Sequence, residues 1–365
     1  MALQCGIIGI TNVGKTTIFN CISNTRGETN AFAFSATKSN IGVIQVPDQR
    51  LYELEKHQVT DKIVHTTVEI VDIPGLARGS NKGEGVGNKF LGDIRNTDAL
   101  IHVLRCFDSE ALPHIDGSVD PARDLETVDF ELQVKDLESV EKKLQRFEKL
   151  VKAGDREARH GIEVLSRYRE HIGNFNNART LEVKDEDRKF VDDLFLLTMK
   201  PVMYVCNVDE KSALTGNKYV EMVKEALKGK NAEIIVIAGA VEAEIAELEN
   251  RDDRLAFLKD AGLDEPGVDK MVRAAYRLLN LQTFFTVGPK EIRAWTIRKG
   301  MTAPQASGVI HSDLERGFIR AEVMKYNDFI TLGSEHACKE AGKFYIEGKN
   351  YIVEDGDILH IRFNV

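Results

Sequence analysis

The chain is 365 residues long, enough at roughly 150 residues per domain for two or three domains with full hydrophobic cores. Its 49 Lys and Arg against 58 Asp and Glu leave a net charge of -9, which argues against a protein that holds nucleic acid, DNA above all, by bulk positive charge. No apolar run approaches the roughly 20 residues that span a bilayer, and five scattered cysteines without a Cys-x-x-Cys spacing argue against disulfides or zinc. The N-terminus reads as a core strand with no basic leader, so a reducing cytoplasm is the expected compartment.

An apolar run from Leu3 to Gly9 ends at a glycine, and a helical pattern follows from Lys15 to Ser23. The same order recurs at Thr67–Ile73, Ala99–Cys106, Pro201–Cys206 and Glu233–Ala238. Short apolar strands alternating with helices predict an α/β domain with a mostly parallel sheet covered on both faces. It is expected over 1–127 and 199–280. Between those pieces Leu137, Val140, Leu144, Phe147 and Val151 repeat at heptad spacing. With a stop at Gly154 and a second pattern at Ile162, Leu165 and Ile172, this predicts an inserted antiparallel helical hairpin over 128–198. Its interspersed acidic and basic residues fit a solvated helix surface better than a dedicated RNA surface.

After a helix at Val268–Leu279, Phe284–Val287, the turn Gly288-Pro289-Lys290 and Ile292–Ile297 form a hairpin signature. A helix at 303–315, strands at Phe318–Val323, Tyr351–Val353 and Ile358–Phe363, and the turn Asp355-Gly356-Asp357 complete an α+β unit over 281–365. That unit carries eleven basic and eleven acidic residues, so the negative charge belongs to the first 280.

Gly9-Ile10-Thr11-Asn12-Val13-Gly14-Lys15-Thr16 fits G-x-x-x-x-G-K-[ST] between a strand and a helix. Backbone N–H groups from Asn12 to Thr17 would wrap phosphates, Lys15 would reach the β and γ oxygens, and the Thr16 hydroxyl would ligate Mg²⁺. Asp72-Ile73-Pro74-Gly75 closes the next apolar strand, where a P-loop protein places a carboxylate for Mg²⁺ and a glycine N–H for the γ-phosphate. A glycine-dense run follows, through Gly79, Gly83, Gly85 and Gly87. Base recognition is expected from Asn207-Val208-Asp209-Glu210. GTPases carry N-K-x-D there, so Val208 in place of Lys and Glu210 in place of Asp alter the guanine clamp and make adenine acceptable or preferred.

On these residues, and on the stretch from Val68 to Phe107 above all, the whole chain resembles the YchF subfamily of Obg-related P-loop ATPases. Its C-terminal block, with Arg293-Ala294-Trp295-Thr296-Ile297 and Gly317-Phe318-Ile319-Arg320-Ala321, is similar to the family's TGS domain, a β-grasp module. The resemblance implies a cytosolic Mg²⁺-dependent enzyme that hydrolyses ATP in preference to GTP and associates with the ribosome or its RNA. Two departures stand out: Thr11 and Thr16 replace the usual Pro and Ser, and the expected Mg²⁺-ligating switch threonine aligns with Ala36, one place before Thr37. Ras-like enzymes orient water with a Gln where this chain has Leu76, which cannot hydrogen-bond. The resemblance implies that a loop histidine replaces it, and this maps to His114. A surface histidine is the competing reading. Asn12 is read either as a turn residue or as a partner of a monovalent cation such as K⁺.

Overall fold

The computed structural model describes residues 3–24, 40–75, 86–248 and 250–364. In chain order the elements are β1 (Gln4–Ile8), α1 (Lys15–Asn24), β2 (Asn40–Gln45), α2 (Arg50–His57), β3 (Ile63–Val64), β4 (Thr67–Asp72), α3 (Val86–Asn96), β5 (Ala99–Cys106), α4 (Pro121–Lys152), α5 (Arg156–Gly173), α6 (Asp185–Arg188), β6 (Val202–Val208), α7 (Lys218–Ala226), β7 (Ile234–Ile237), α8 (Gly239–Glu247), α9 (Arg251–Asp260) and α10 (Gly267–Leu278). They continue with β8 (Leu281–Val287), β9 (Ile292–Arg298), α11 (Ala303–Ile310), α12 (Ser312–Arg316), β10 (Phe318–Lys325), α13 (Tyr326–Leu332), α14 (Glu335–Glu340), β11 (Tyr345–Glu347) and β12 (Asp357–Phe363). Among the described residues no helix is long and apolar enough to cross a membrane.

The chain divides into two compact units, Met1–Gly42 with Glu69–Met271 and Val43–Val68 with Val272–Val365. The first contains a six-stranded sheet in the order β2-β4-β1-β5-β6-β7, in which β4, β1, β5, β6 and β7 run parallel. Every residue of β5 is buried, as a strand covered on both faces must be. Because these strands are parallel, their carboxyl ends and the loops that follow share one edge, where ligands bind in such sheets.

The inserted hairpin is α4 and α5. Helix α4 begins at Pro121 and not at Val128, because Asp120 caps it by accepting from the Arg123 N–H and proline fits the first turn. Those signals lie outside the heptad seam. Asp155 caps α5 in the same way. Across the seam Val140 and Leu144 bury against Val164, Leu165, Tyr168 and Ile172, with Leu137 and Phe147 at the margin. The return towards β6 is pinned by Asp136, fully buried, which accepts from the N–H groups of Leu197 and Thr198 and from the Thr198 hydroxyl at 2.6–2.8 Å.

The second unit is α+β, with a sheet in the order β11-β10-β12-β8-β9-β3. The β8–β9 hairpin is antiparallel as its turn predicts, while β12 joins β8 in parallel and β10 in antiparallel pairing. One face packs Phe284, Phe318 and Leu359 against Ala303 and Ala306 of α11. The other packs Phe285, Ile292 and Ile358 against Leu51 and Leu54 of α2, and β3 pairs with β9. Residues 43–68 therefore belong to this unit, whereas the sequence reading ran the first domain through them from 1 to 127. Two local expectations also change. The strand expected at Tyr351–Val353 is a single bridge, Ile352 to Thr302, and the helix over 303–315 breaks at His311, whose extended backbone (φ −161°) separates α11 from α12.

Candidate nucleotide site

Between β1 and α1 the loop turns through Asn12 at φ +62° and Gly14 at φ +95°. The left-handed region is open to glycine and tolerated by asparagine, which accounts for an Asn at that turn. The first intrahelical bond of α1 runs from the Ile18 N–H to the Gly14 carbonyl. The N–H groups just before Ile18 are thus left for an anion, at the positive end of a ten-residue helix. Val13 is buried, whereas Thr16 and Thr17 are exposed in the first turn.

Lys15 is 7% exposed and donates to the Ile10 carbonyl at 2.6 Å. Burial pulls its ammonium down to about 8, with Asp72 opposing. Thr16 Oγ donates to Asp72 Oδ2 at 2.9 Å, and Asp72 Oδ1 is buried with no partner among the described residues. Burial pushes the Asp72 carboxyl up, against the pull of Thr16 and Lys15. Lys15 and Asp72 each favour the other's charged form, yet burial outweighs that attraction at both. Gly75 lies beside them, since a Cβ built on it would be 2.9 Å from Lys15 Nζ. The structure thus brings together Lys15, Thr16, Asp72 and Gly75. Ala36, Thr37, Leu76 and the glycines at 79, 83 and 85 lie outside the described residues.

Asn207 is a buried tie at the edge of the same site. Its Nδ2 donates to the Val13 carbonyl at 2.9 Å and its Oδ1 accepts from the Gly239 N–H at 2.9 Å, locking the phosphate loop to β6 and to the turn into α8. Asp209 is consumed locally, accepting from the Ser212 N–H and hydroxyl. Glu210 is exposed. Val208, expected to lie against the base, is 2% exposed and packs with Leu104, Cys106, Tyr219 and Val220. Its side chain belongs to the core, because it follows Asn207 on the strand and faces the helices on the other side. Gly239 went unnoticed in the sequence; the small-residue run Ala238-Gly239-Ala240 directly after β7 was its only signal.

His114 is neither a surface histidine nor an exposed loop group: its side chain is 3% exposed. Nδ1 accepts from the Asp116 N–H at 3.1 Å, so Nε2 carries the proton and donates to Asp124 Oδ2 at 2.9 Å. His114, Asp116 and Asp124 offer three ligand atoms within 4.8 Å of one another. The Arg123 guanidinium sits 3.4 Å from Asp124 and 3.7 Å from Asp116, which supplies the positive charge a metal would bring. Burial pushes the Asp124 carboxyl up while His114 and Arg123 draw it down. Asp124 was not singled out in the sequence, since its pairing with His114 spans a turn that no local pattern announces.

A parallel sheet with a strand–glycine loop–helix cradle, a buried lysine at its mouth and a carboxylate bonded to the loop hydroxyl define a P-loop nucleotide-binding protein of the GTPase type. In keeping with this, a family model described as 50S ribosome-binding GTPase matches residues 4–149. A second, named for the YchF GTPase C-terminal region and described as a protein of unknown function, matches 281–364. The chain is 46% identical to the ribosome-binding ATPase YchF of Bacillus subtilis and 45% identical to that of Haemophilus ducreyi, with 100% of each chain covered. The solved structure of the Schizosaccharomyces pombe YchF GTPase superposes with a TM-score of 0.87 at 31% identity, covering 99% of this chain and 97% of that one. The chain belongs to the YchF family.

Proposed function

We propose that this chain is an Mg²⁺-dependent P-loop nucleoside triphosphatase that hydrolyses ATP in preference to GTP, in the cytoplasm, and that binds the ribosome or its RNA. The observation that carries the base preference is the composition of the Asn207–Glu210 turn. A buried Val208 offers no lysine stem to cover a guanine ring, and an exposed Glu210 stands one methylene longer than the aspartate that accepts from guanine. Hydrolysis is supported by the cradle, and the ribosome by the names of the full-length relatives in B. subtilis and H. ducreyi.

Residues Asn12 to Thr17 hold the phosphates through backbone N–H groups, and Lys15 turns from the Ile10 carbonyl to the β and γ oxygens. Mg²⁺ fits the buried Asp72 Oδ1 beside the Thr16 hydroxyl and, when bound, neutralises developing phosphate charge. Gly75 offers its N–H to the γ-phosphate, Asn207 holds the loop in register beneath the base, and His114 acts on water once its ring nitrogens are released. A GTPase with a relaxed base pocket is the second reading, favoured by the naming of the S. pombe relative. A ribosome-binding module with a structural nucleotide is the third.

Calorimetric titration of ATP and GTP in one Mg²⁺ buffer, in potassium and then in sodium salt, tests the base preference and any role of a monovalent cation near Asn12. Wild type is expected to bind ATP more tightly, and Glu210→Asp to move the ratio towards GTP. Equal or tighter GTP binding by wild type would transfer the argument to the second reading. Ribosome co-sedimentation that ignores nucleotide state, with negligible turnover, would transfer it to the third.

A further inference from the structure

The segment between β5 and α4 is anchored at both ends and held in the middle by one side chain. At its start Asn217 Nδ2 donates to the Cys106 carbonyl at 2.8 Å, and the Tyr219 hydroxyl donates to the Asp108 carboxylate at 2.8 Å. At its end Asp120 caps α4, and the Arg123 guanidinium donates to the Ser118 carbonyl at 2.6 Å. Between these anchors Leu112 and Ile115 are 47% and 49% exposed, and Gly117 sits at φ +77° with open space around it. From Phe107 to Asp120 His114 is the one buried residue. It is also the residue that a role in hydrolysis needs at the surface.

An aspartate that merely orients a catalytic histidine bonds one ring nitrogen and leaves the other lone pair free to take a proton. Here the Nδ1 lone pair is spent on the Asp116 N–H and the Nε2 proton on Asp124. In this arrangement the imidazole has no lone pair for water. The Asp124 carboxylate is itself 1% exposed, so freeing the histidine leaves a buried acceptor with, among the described residues, only Arg123 at 3.4 Å. A buried hydrogen bond to a charged group is worth a factor of roughly 10 to 100 in such an equilibrium.

We propose that Asp124 is a positioning residue that latches His114 in a retracted state and thereby holds basal turnover down. Whatever frees the loop, a bound nucleotide or the ribosome, must outbid that bond. The proposal rests on the reading that His114 acts on the attacking water, and the test separates the two.

Single-turnover hydrolysis at saturating ATP and Mg²⁺ is measured for wild type, His114→Ala, Asp124→Ala, the isosteric Asp124→Asn and the double variant His114→Ala/Asp124→Ala. Asp124→Ala is expected to raise the rate by about tenfold or more and Asp124→Asn by less, with KM unchanged. The double variant should fall to the rate of His114→Ala. Carbethoxylation of His114 by diethylpyrocarbonate, followed by peptide mass, should accelerate in the same order, a readout that a merely structural carboxylate would not move in step with turnover. If either folded Asp124 variant hydrolyses no faster than wild type while His114→Ala is slow, the latch is overturned and the histidine's role stands. If His114→Ala is as fast as wild type, the histidine reading fails and the latch falls with it.

Discussion

Lys15 illustrates how function is carried at a cost to the fold. Its ammonium is buried and pulled down to about 8 by that burial, with a backbone carbonyl and a neighbouring carboxylate as its compensation. Replacing a whole buried ion pair by apolar chains is often neutral, but removing one partner leaves the other uncompensated and is destabilising. Lys15→Met strands the Asp72 carboxylate and the Ile10 carbonyl, and should therefore melt lower than wild type without nucleotide. The same variant should lose the stabilisation that ATP with Mg²⁺ gives wild type, about 2.7 kcal/mol at a hundredfold excess over Kd. A thermal melt with and without ATP and Mg²⁺ reads both effects, and a preserved ATP shift would remove Lys15 from the cradle. This residue was readable from the sequence because its context is local: a strand, glycines that permit the turn, and a helix start within a few residues. Asp124 and Val208 were not, because their roles are set by what lies opposite them in space.

At the scale of elements, α8 supplies a side-chain acceptor at the start of helix α10. Glu242 Oε1 accepts from the Gly267 N–H at 2.6 Å, and its Oε2 is buried with no partner among the described residues. Burial pushes this carboxyl up to about 7, against the pull of the α10 backbone. The folded protein then keeps a proton between pH 4.5 and about 7 that the unfolded chain, at its ordinary 4.5, has released. With more protons bound folded than unfolded, stability falls as pH rises through that window. Glu242→Gln keeps the acceptor and removes the titration, so its melting temperature relative to wild type should climb between about pH 5 and about pH 8. A constant difference across that range would mean that the carboxyl is ionised throughout. The elements the sequence names, among them β1, β4 to β7, the α4–α5 seam, the β8–β9 hairpin, β10 and β12, are those whose apolar period is long or bounded by glycine and proline. Of those it does not name, which include α2 and α9, β11 has three residues and α14 six, too few for a period to emerge.

At the scale of the whole molecule the unexpected feature is the ownership of residues 43–68. Leu51 and Leu54 are fully buried, but their partners lie on β8, β9 and β12, so nothing near them in sequence marks them as core. The expected boundary at 281 cuts through this packing. A fragment ending at Asn280 should leave α2 without a cover and behave as a partly unfolded protein. Hydrogen exchange should show 46–66, between β2 and β4, unprotected in the fragment and protected in the full chain, and limited proteolysis should cut there first. A soluble fragment with 46–66 fully protected would show that the first unit can shelter α2 alone.

The same construction bears on how the protein is made. Arg50 and Asp355 form an ion pair across 305 residues of chain, and at a synthesis rate of 5–20 residues per second the second partner follows the first by roughly 15 to 60 s. For most of that interval the apolar face of α2 has no cover, because β8 and β9 follow it by more than 200 residues and β12 comes last. The first unit's parallel sheet can form in the meantime, but the second unit can assemble only after β12 has been made. During each round of synthesis, then, this chain carries an uncovered leucine pair for most of its time on the ribosome, and that pair is where a chaperone would find it.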